Sequence, residues 1–385
     1  MQRRHKWKWI MVNIVCVMFL SSCVETKQLE KLGLITAQGY DLEKENKLKG
    51  TVVVHKFDPV AKNLTKIITV DANTSKALRQ KQNLEIDQKL VLGQLRCVIY
   101  SKELAEKGIS QLVDALNRDP TVGNMVYLTI AEEDAYSIMN FNQKKLKVNL
   151  GTYLYNLIKQ NVESEQLTSP TLHEFNHNFQ DHGRDPVLPI LKIKGGGVVI
   201  KGIALFKDDR IVGELKNEQL FYAKVLSDKY KSGTQELGFT RSRFEKIIKE
   251  KDEGKNKKVY NKLFISIDNI RSKSTIKLMD KKTPHFRIDV KLDSRLLEAT
   301  EPLDLSTTGN IKFIEKEINR EMEKQIMDLL QYFQKKQVDP AGFGNEYMAH
   351  IRKQPLSKQE WRELYKDATF EVHVDNTVVK TGVID

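Results

Sequence analysis

The sequence predicts a multi-domain α+β fold with mixed and antiparallel sheets and packed helices. Residues 286–292 alternate apolar and charged side chains, which is typical of a strand with one buried and one solvated face. Residues 310–336 carry apolar side chains at steps of three or four, which predicts an amphipathic helix about 40 Å long. We therefore expect a C-terminal sheet that is covered by one long helix.

The elements before this sheet mix strands and helices. Strand-like runs occupy residues 32–37, 50–57, 65–70, 90–100 and 125–130. Helices are predicted around residues 77–84, at 102–117 and twice within 151–182. Asp119-Pro120 ends the 102–117 helix, because the residue before a proline avoids helical geometry. A closing strand at 370–379 repeats the alternation of the 286–292 segment.

Three consecutive glycines at 195–197 suggest a domain boundary. They divide the chain into an N-terminal α+β domain at 31–194 and a C-terminal α+β region at 195–385. A further division of that region into about 195–270 and 271–385 stays open. A phosphate-binding loop is disfavoured, because such loops open a helix, whereas these glycines precede a strand-like run at 198–206.

The N-terminus has the features of a bacterial lipoprotein signal. Residues 1–9 hold four basic side chains and no acidic one, and residues 10–20 are apolar except for Asn13. That run is shorter than the roughly 20 residues of a transmembrane helix. It ends in Leu20-Ser21-Ser22-Cys23, which resembles a lipobox. We predict that residues 1–22 are a signal peptide, that Cys23 is lipidated and that 23–30 form a tether; an ordinary cleaved signal is the alternative.

Charge and cysteine content restrict the function further. Removing the four basic residues of the signal peptide from the formal net charge of +12 leaves +8, which suits an anionic membrane surface. Nucleic-acid binding is disfavoured, because the basic residues are interspersed with acidic ones and export is predicted. Cys97 lies in a strand-like run and has no partner for an internal disulfide, so it is expected to be a small core residue.

One motif is typical of catalytic zinc. It matches H-E-x-x-H, in which two histidines one helical turn apart bind a metal, and it reads His173-Glu174-Phe175-Asn176-His177. At about 100° per residue, however, the two histidines point away from the apolar side formed by Leu172, Phe175 and Phe179. His182 is the nearest third ligand, but it follows the predicted helix end. We therefore expect exposed histidines and predict no catalytic, cofactor or metal site.

A further set of segments carries a family resemblance. They are residues 29–35 after the lipobox, 93–100 with 104–109 and 117–120, 202–215, and 338–344 with Trp361 and the closing strand. Together and in this order they resemble the Ger(x)C family of spore germination lipoproteins, the C subunits of nutrient germinant receptors. Two positions depart from the family pattern: Val24 replaces a frequent tryptophan, and Pro340 replaces a frequent apolar residue.

The resemblance implies a membrane-anchored, non-enzymatic subunit on the outer face of the inner spore membrane. It also implies two partners, an A-type membrane subunit and a B-type, transporter-like subunit. Within the last segment, Phe343 between Gly342 and Gly344 is either an exposed anchor or part of a turn packed on its own domain. Two alternatives remain: a surface zinc hydrolase that uses the 173–177 motif, and a ligand-capturing lipoprotein of a transporter, which would need two similar lobes.

Overall fold

The computed structural model describes residues 31–55, 65–141, 148–227, 233–249, 261–351 and 356–381. The predicted signal peptide, the lipidation site Cys23 and the tether lie outside these ranges. The described strands form two sheets, and helices pack on both. No helix in these parts of the chain combines the length and apolar character needed to cross a bilayer.

The first sheet is mixed and has nine described strands in the order β3-β2-β1-β5-β6-β7-β8-β9, with β4 beside β1. The strands are β1 (Leu32–Leu42), β2 (Leu48–His55), β3 (Thr65–Ala72), β4 (Lys89–Val91), β5 (Cys97–Ser101), β6 (Tyr127–Ala131), β7 (Val187–Lys194), β8 (Gly197–Lys207) and β9 (Arg210–Lys216). The central pairs β1–β5, β5–β6 and β6–β7 are parallel, and antiparallel strands flank them on both sides. Parallel neighbours need crossover connections, which the helices between them supply.

Helices cover both faces of this sheet. They are α1 (Ser75–Leu84), α2 (Lys102–Lys107), α3 (Ser110–Asn117), α4 (Ala135–Met139), α5 (Leu150–Glu163) and α6 (Leu172–Gln180). Buried residues of α1, α2, α3 and α6 share one core with the sheet, and those of α4 and α5 share the other. Each face of the sheet therefore has its own apolar core.

The helix predicted at 102–117 is two helices, so that prediction was wrong in its continuity. Gly108 has φ +122°, a conformation that helices do not tolerate and that side chains rarely adopt. A Cβ at this position would lie 2.6 Å from Oδ2 of Asp209. The same carboxylate accepts hydrogen bonds from the backbone N–H and the hydroxyl of Ser110, at 3.1 and 2.6 Å. Asp209 thus holds the start of α3 against the β8–β9 turn.

The glycines at 195–197 lie at the hairpin between β7 and β8. Gly195 and Gly196 have φ of +60° and +78°, as a tight two-residue hairpin turn requires. Backbone pairing continues from β7 to β8 and on to β9, so the hydrogen bonds of the first sheet cross the predicted boundary. The domain boundary near residue 195 stays a prediction, while the change from one sheet to the other comes after residue 216.

The second half contains a four-stranded sheet in the order β10-β11-β12-β13. The elements of this half are α7 (Asn217–Ser227), β10 (Gly233–Thr240), β11 (Lys262–Asp280), β12 (His285–Ala299), α8 (Thr308–Lys336), α9 (Phe343–His350), α10 (Lys358–Lys366) and β13 (Thr369–Thr381), with a short 3₁₀ helix at Arg241–Ile247. A second short 3₁₀ helix, Lys44–Asn46, lies between β1 and β2 in the first half. The long helix α8 buries Ile314, Ile318 and Met322 against this sheet. The predicted sheet covered by one long helix is therefore confirmed.

Candidate functional site

A polar network, buried except at Asp208, connects the two halves of the molecule. We call it the junction and define it as Asp185, Asp208, Asp339, Trp361 and Arg362. Asp185 precedes β7 and Asp208 lies in the β8–β9 turn, so both belong to the first half. Asp339 follows the end of α8, and α10 supplies the tryptophan and the arginine. The last family segment and the segment at 202–215 therefore meet in space.

Asp339 is the buried centre of the junction. Its carboxylate accepts hydrogen bonds from the backbone N–H groups of Gly342 and Gly344, both at 2.8 Å, and from Nε1 of Trp361 at 3.1 Å. Gly342 has φ +85°, and a Cβ on Gly344 would lie 2.5 Å from Cα of Gly183. Both glycines are therefore required by geometry. Burial raises the pKa of Asp339 to about 7, despite the hydrogen bonds from the backbone.

Asp185 and Asp339 exchange two hydrogen bonds, one between backbone groups and one from a backbone N–H to a side chain. The N–H of Asp185 donates to the carbonyl oxygen of Asp339, and the N–H of Asp339 donates to Oδ2 of Asp185, each at 2.9 Å. The guanidinium of Arg362 then donates to Oδ1 of Asp185 at 2.8 Å and to both carboxylate oxygens of Asp208 at 2.9 Å. One arginine thus bridges two carboxylates from different turns of the first half.

A cavity of about 190 Å³ lies beside the junction, between the first sheet and α8. Polar and apolar side chains both line it. Its lining is formed by Gln166, Leu167, Thr168, Ser169, Glu174, Phe175, Asn178, Arg184, Asp185, Val187, Ile203, Leu205, Leu215, Leu220, Ala223, Lys224, Phe333, Pro340 and Ala341. Because both halves of the chain contribute to it, a molecule bound there would contact both.

The histidines of the 173–177 motif face solvent, as predicted. Thr171 caps α6 by accepting from the N–H of Glu174 at 3.1 Å, and Phe175 points into the core. His173 and His177 are exposed, with ring centroids 6.4 Å apart. His182 lies elsewhere, with Nδ1 2.7 Å from the carbonyl oxygen of Leu356. Among the residues that the structure describes, no three His, Cys, Asp or Glu side chains are grouped so as to hold a metal ion.

Two further expectations concern single residues. Cys97 is buried in the core, as predicted, and burial raises the pKa of its thiol to about 12. Phe343 is also fully buried, with its ring 5.1 Å from that of Phe286 and 5.0 Å from that of Phe370, centroid to centroid. The structure therefore favours the packed turn over the exposed anchor for this phenylalanine.

The sequence did not identify Asp185, Arg184 or Arg362 as site residues. One weak signal exists, because Asp185 and Asp339 each directly precede a proline. The same dipeptide also occurs at residues 58 and 119, so it does not single out the buried pair.

Comparison with known proteins identifies the family. A model described as "Spore germination protein N-terminal domain" matches residues 25–193, and one described as "Spore germination B3/ GerAC like, C-terminal" matches 201–382. The spore germination protein GerQC of Bacillus cereus is 30% identical over 98% of this chain and 99% of the relative. A putative spore germination protein, YfkR of Bacillus subtilis (strain 168), is 21% identical over 96% and 94%.

A solved structure supports the same fold. The crystal structure of the GerBC protein covers 89% of this chain and 96% of its own, with a TM-score of 0.52 and 15% identity. The two family models together span almost all the described residues, and the predicted Ger(x)C resemblance is confirmed. The chain belongs to the GerAC-like family of spore germination proteins.

Proposed function

We propose that this protein is the lipid-anchored, non-catalytic C subunit of a spore nutrient germinant receptor. It would be required for the germination response to small nutrients and would lie on the outer face of the inner spore membrane. The observation that carries the proposal is membership of the GerAC-like family over residues 25–193 and 201–382. The lipobox ending at Cys23 supports the anchor.

The arrangement of the described side chains supports a role in binding. The two histidines of the 173–177 motif are exposed, and the buried carboxylates of the junction are held by internal hydrogen bonds. The two halves also differ in architecture, with a nine-stranded mixed sheet in one and a four-stranded sheet under α8 in the other. This difference counts against the paired lobes of a transporter's ligand-capturing protein.

The proposed partners are A-type and B-type membrane subunits of the receptor. An acyl anchor would confine the chain to a thin layer at the membrane. Confinement raises the effective concentration of any partner in the same membrane, so a weak soluble interface becomes a persistent one. The proposed anchor therefore favours a stable receptor complex without a large interface.

Substitution of the lipidated residue tests the anchor. In Cys23→Ala, lipoprotein processing should stop and germination through this receptor should weaken, since two or more acyl chains are needed for stable anchoring. Mass spectrometry of the mature N-terminus reads out the modification. Cys97→Ala is the matched control, because it removes the buried thiol and should leave the lipid in place. A free, unmodified terminus on the wild-type protein would overturn the anchor.

Deletion of the gene tests the receptor role. The deletion should abolish the response to one class of nutrient while growth and sporulation remain normal, and the wild-type chain should co-purify with A- and B-type subunits from detergent extracts of spores. Normal germination together with impaired vegetative uptake or extracellular hydrolysis would refute the receptor role.

A further inference from the structure

The cavity beside the junction has an apolar floor made by both halves of the chain. Val187, Leu205 and Leu215 come from the first sheet, and Phe333 comes from α8. Leu205, Leu215 and Phe333 are buried members of the core cluster shared by the two halves. An apolar group that enters the cavity would therefore leave water, which stabilises binding by about 25 cal/mol per Å² of buried apolar surface.

The mouth of the cavity carries polar side chains with unused hydrogen-bonding atoms. Gln166, Thr168 and Ser169 lie in the loop before α6, and Glu174 lies in its first turn. Within the described parts of the chain, none of these four side chains hydrogen-bonds to another residue or forms an ion pair. Their donors and acceptors are thus available to a bound molecule.

Lys224 and Arg184 are the two cations in the cavity lining, and Arg184 has the forked donor geometry that suits a carboxylate. Its Nε donates to the carbonyl oxygen of Pro340 at 3.0 Å, which fixes the guanidinium at the cavity wall. Its two terminal nitrogens make no hydrogen bond or ion pair with the described residues. A guanidinium with both terminal nitrogens available presents the fork of donors that binds a carboxylate through two parallel hydrogen bonds.

The junction holds the backbone around Arg184 in place. Gly183 packs directly on Gly344, and Asp185 exchanges hydrogen bonds with Asp339. The backbone on both sides of Arg184 is therefore fixed before a ligand binds, which lowers the conformational entropy lost on binding. The carboxylate of Asp185 also lines the cavity, but its ion pair with Arg362 offsets its repulsion of an anion.

We propose that this cavity binds a small molecule in which a carboxylate is attached to a compact apolar body. The carboxylate would pair with Arg184, and the apolar body would lie on the floor formed by the first sheet and α8. A volume of about 190 Å³ is smaller than the roughly 300–1,000 Å³ of sites for drug-sized ligands, so the body must be compact. Glu174 at the mouth would accommodate an additional amino group.

Four probes that share an isobutyl group separate the effect of charge from that of apolar burial. They are 3-methylbutanoate, L-leucine, 3-methylbutylamine and 3-methyl-1-butanol. Binding to the full-length chain purified in detergent is measured by ligand-observed NMR titration. We expect saturable binding of the two carboxylates and at least about tenfold weaker binding of the amine and the alcohol, since a tenfold change corresponds to one lost charge-assisted contact.

Variants locate the binding in the cavity. Arg184→Gln should weaken carboxylate binding at least about tenfold. The affinity of Arg184→Lys should lie between those of Arg184→Gln and the wild type, because an ammonium keeps the charge but lacks the forked geometry. Ala223→Leu narrows the cavity and should weaken the binding of every probe that the wild type binds. Arg118→Gln is the matched control, because the side chain of this exposed arginine has Asp114, one helical turn before it, as its sole partner among the described residues. Urea unfolding of each variant verifies that it is folded.

Three results would overturn the proposal. They are equal binding of the alcohol and the carboxylates, unchanged binding by the folded Arg184→Gln variant, and the absence of saturable binding by every probe. The inference goes beyond the receptor role and is tested independently of it, because binding is measured on the purified chain without other receptor subunits. Its failure would leave the germination phenotype untouched, and failure of the receptor role would leave the binding untouched.

Discussion

Replacement of Arg362 by methionine should destabilise the protein more than any exposed substitution. The side chain of Arg362 is 8% exposed and that of Asp185 is 6% exposed, whereas that of Asp208 is 49% exposed. Methionine keeps most of the apolar length of the side chain but removes the charge. The variant therefore leaves the carboxylate of Asp185 buried without its main cation.

The magnitude follows from these exposures. Loss of one partner of a buried ion pair costs about 3–5 kcal/mol. Nζ of Lys358 lies 4.0 Å from Oδ1 of Asp185 and can partly replace the lost charge, which places the expected cost near the lower limit, about 3 kcal/mol. The half-exposed Asp208 adds no more than about 1 kcal/mol.

Urea unfolding at neutral pH measures this cost. Arg118→Met is the matched control and should change the free energy of unfolding by no more than about 0.5 kcal/mol, because Arg118 is exposed. Adding Asp185→Asn to Arg362→Met should recover at least about 1 kcal/mol, because the unpaired charge is removed. A cost of Arg362→Met below about 1.5 kcal/mol, or a double variant as unstable as the two single changes added together, would refute this account.

Two further predictions concern pH and metal. The raised pKa of Asp339, about 7 in the folded state against roughly 3.9 in the unfolded chain, means that this carboxyl stabilises the fold fully below about pH 4 and loses that contribution as pH rises through 7. Asp339→Asn should remove this part of the pH dependence of the urea midpoint, while the exposed control Asp114→Asn should keep it. A difference in urea midpoint between wild type and Asp339→Asn that stays constant from pH 4 to 8 would contradict the raised pKa of Asp339. The exposed His173 and His177, replaced together by glutamine, should change the free energy of unfolding by less than about 0.5 kcal/mol. Stoichiometric zinc in wild-type protein purified without added metal, and absent from the double variant, would contradict that prediction.

Elements with a strong local period could be predicted from the sequence, and those set by distant contacts could not. The alternation at 286–292 and the apolar stripe of α8 are local patterns, and both elements form where predicted. The break between α2 and α3 depends on Asp209, about a hundred residues away, which holds Ser110 and leaves no room for a side chain at Gly108. Periodicity depends on local spacing and does not reveal such a contact, so it predicts one helix where the structure has two.

The junction was beyond sequence reasoning for the same reason. Asp185 and Arg362 are 177 positions apart, and neither belongs to a motif with a fixed chemical meaning. The glycines of the 338–344 segment form a pattern in the sequence, but only the structure gives its reason: the N–H groups of Gly342 and Gly344 both donate to the carboxylate of Asp339. The facing of His173 and His177 could be predicted, because it depends only on helix geometry and the apolar positions beside them.

The long helix α8 has a second role, which its amphipathic pattern conceals. Strand β13 lies at the edge of the second sheet, where unpaired N–H groups invite pairing with other chains. Three polar side chains of α8 accept hydrogen bonds from alternate N–H groups of this strand: Glu323 from Val374 at 3.0 Å, Asn319 from Asn376 at 2.9 Å and Glu315 from Val378 at 2.8 Å.

The match between helix and strand is geometric. Four residues of a helix advance about 6 Å, and two residues of a strand advance about 6.6 Å, so side chains at every fourth helical position reach every second N–H of a strand that runs opposite to the helix. In the sequence, these three positions are indistinguishable from an ordinary solvated helix face. The polar face of α8 therefore binds N–H groups at the sheet edge, while its apolar face covers the core. The central N–H groups of this 13-residue edge strand are thus not available for pairing with another chain.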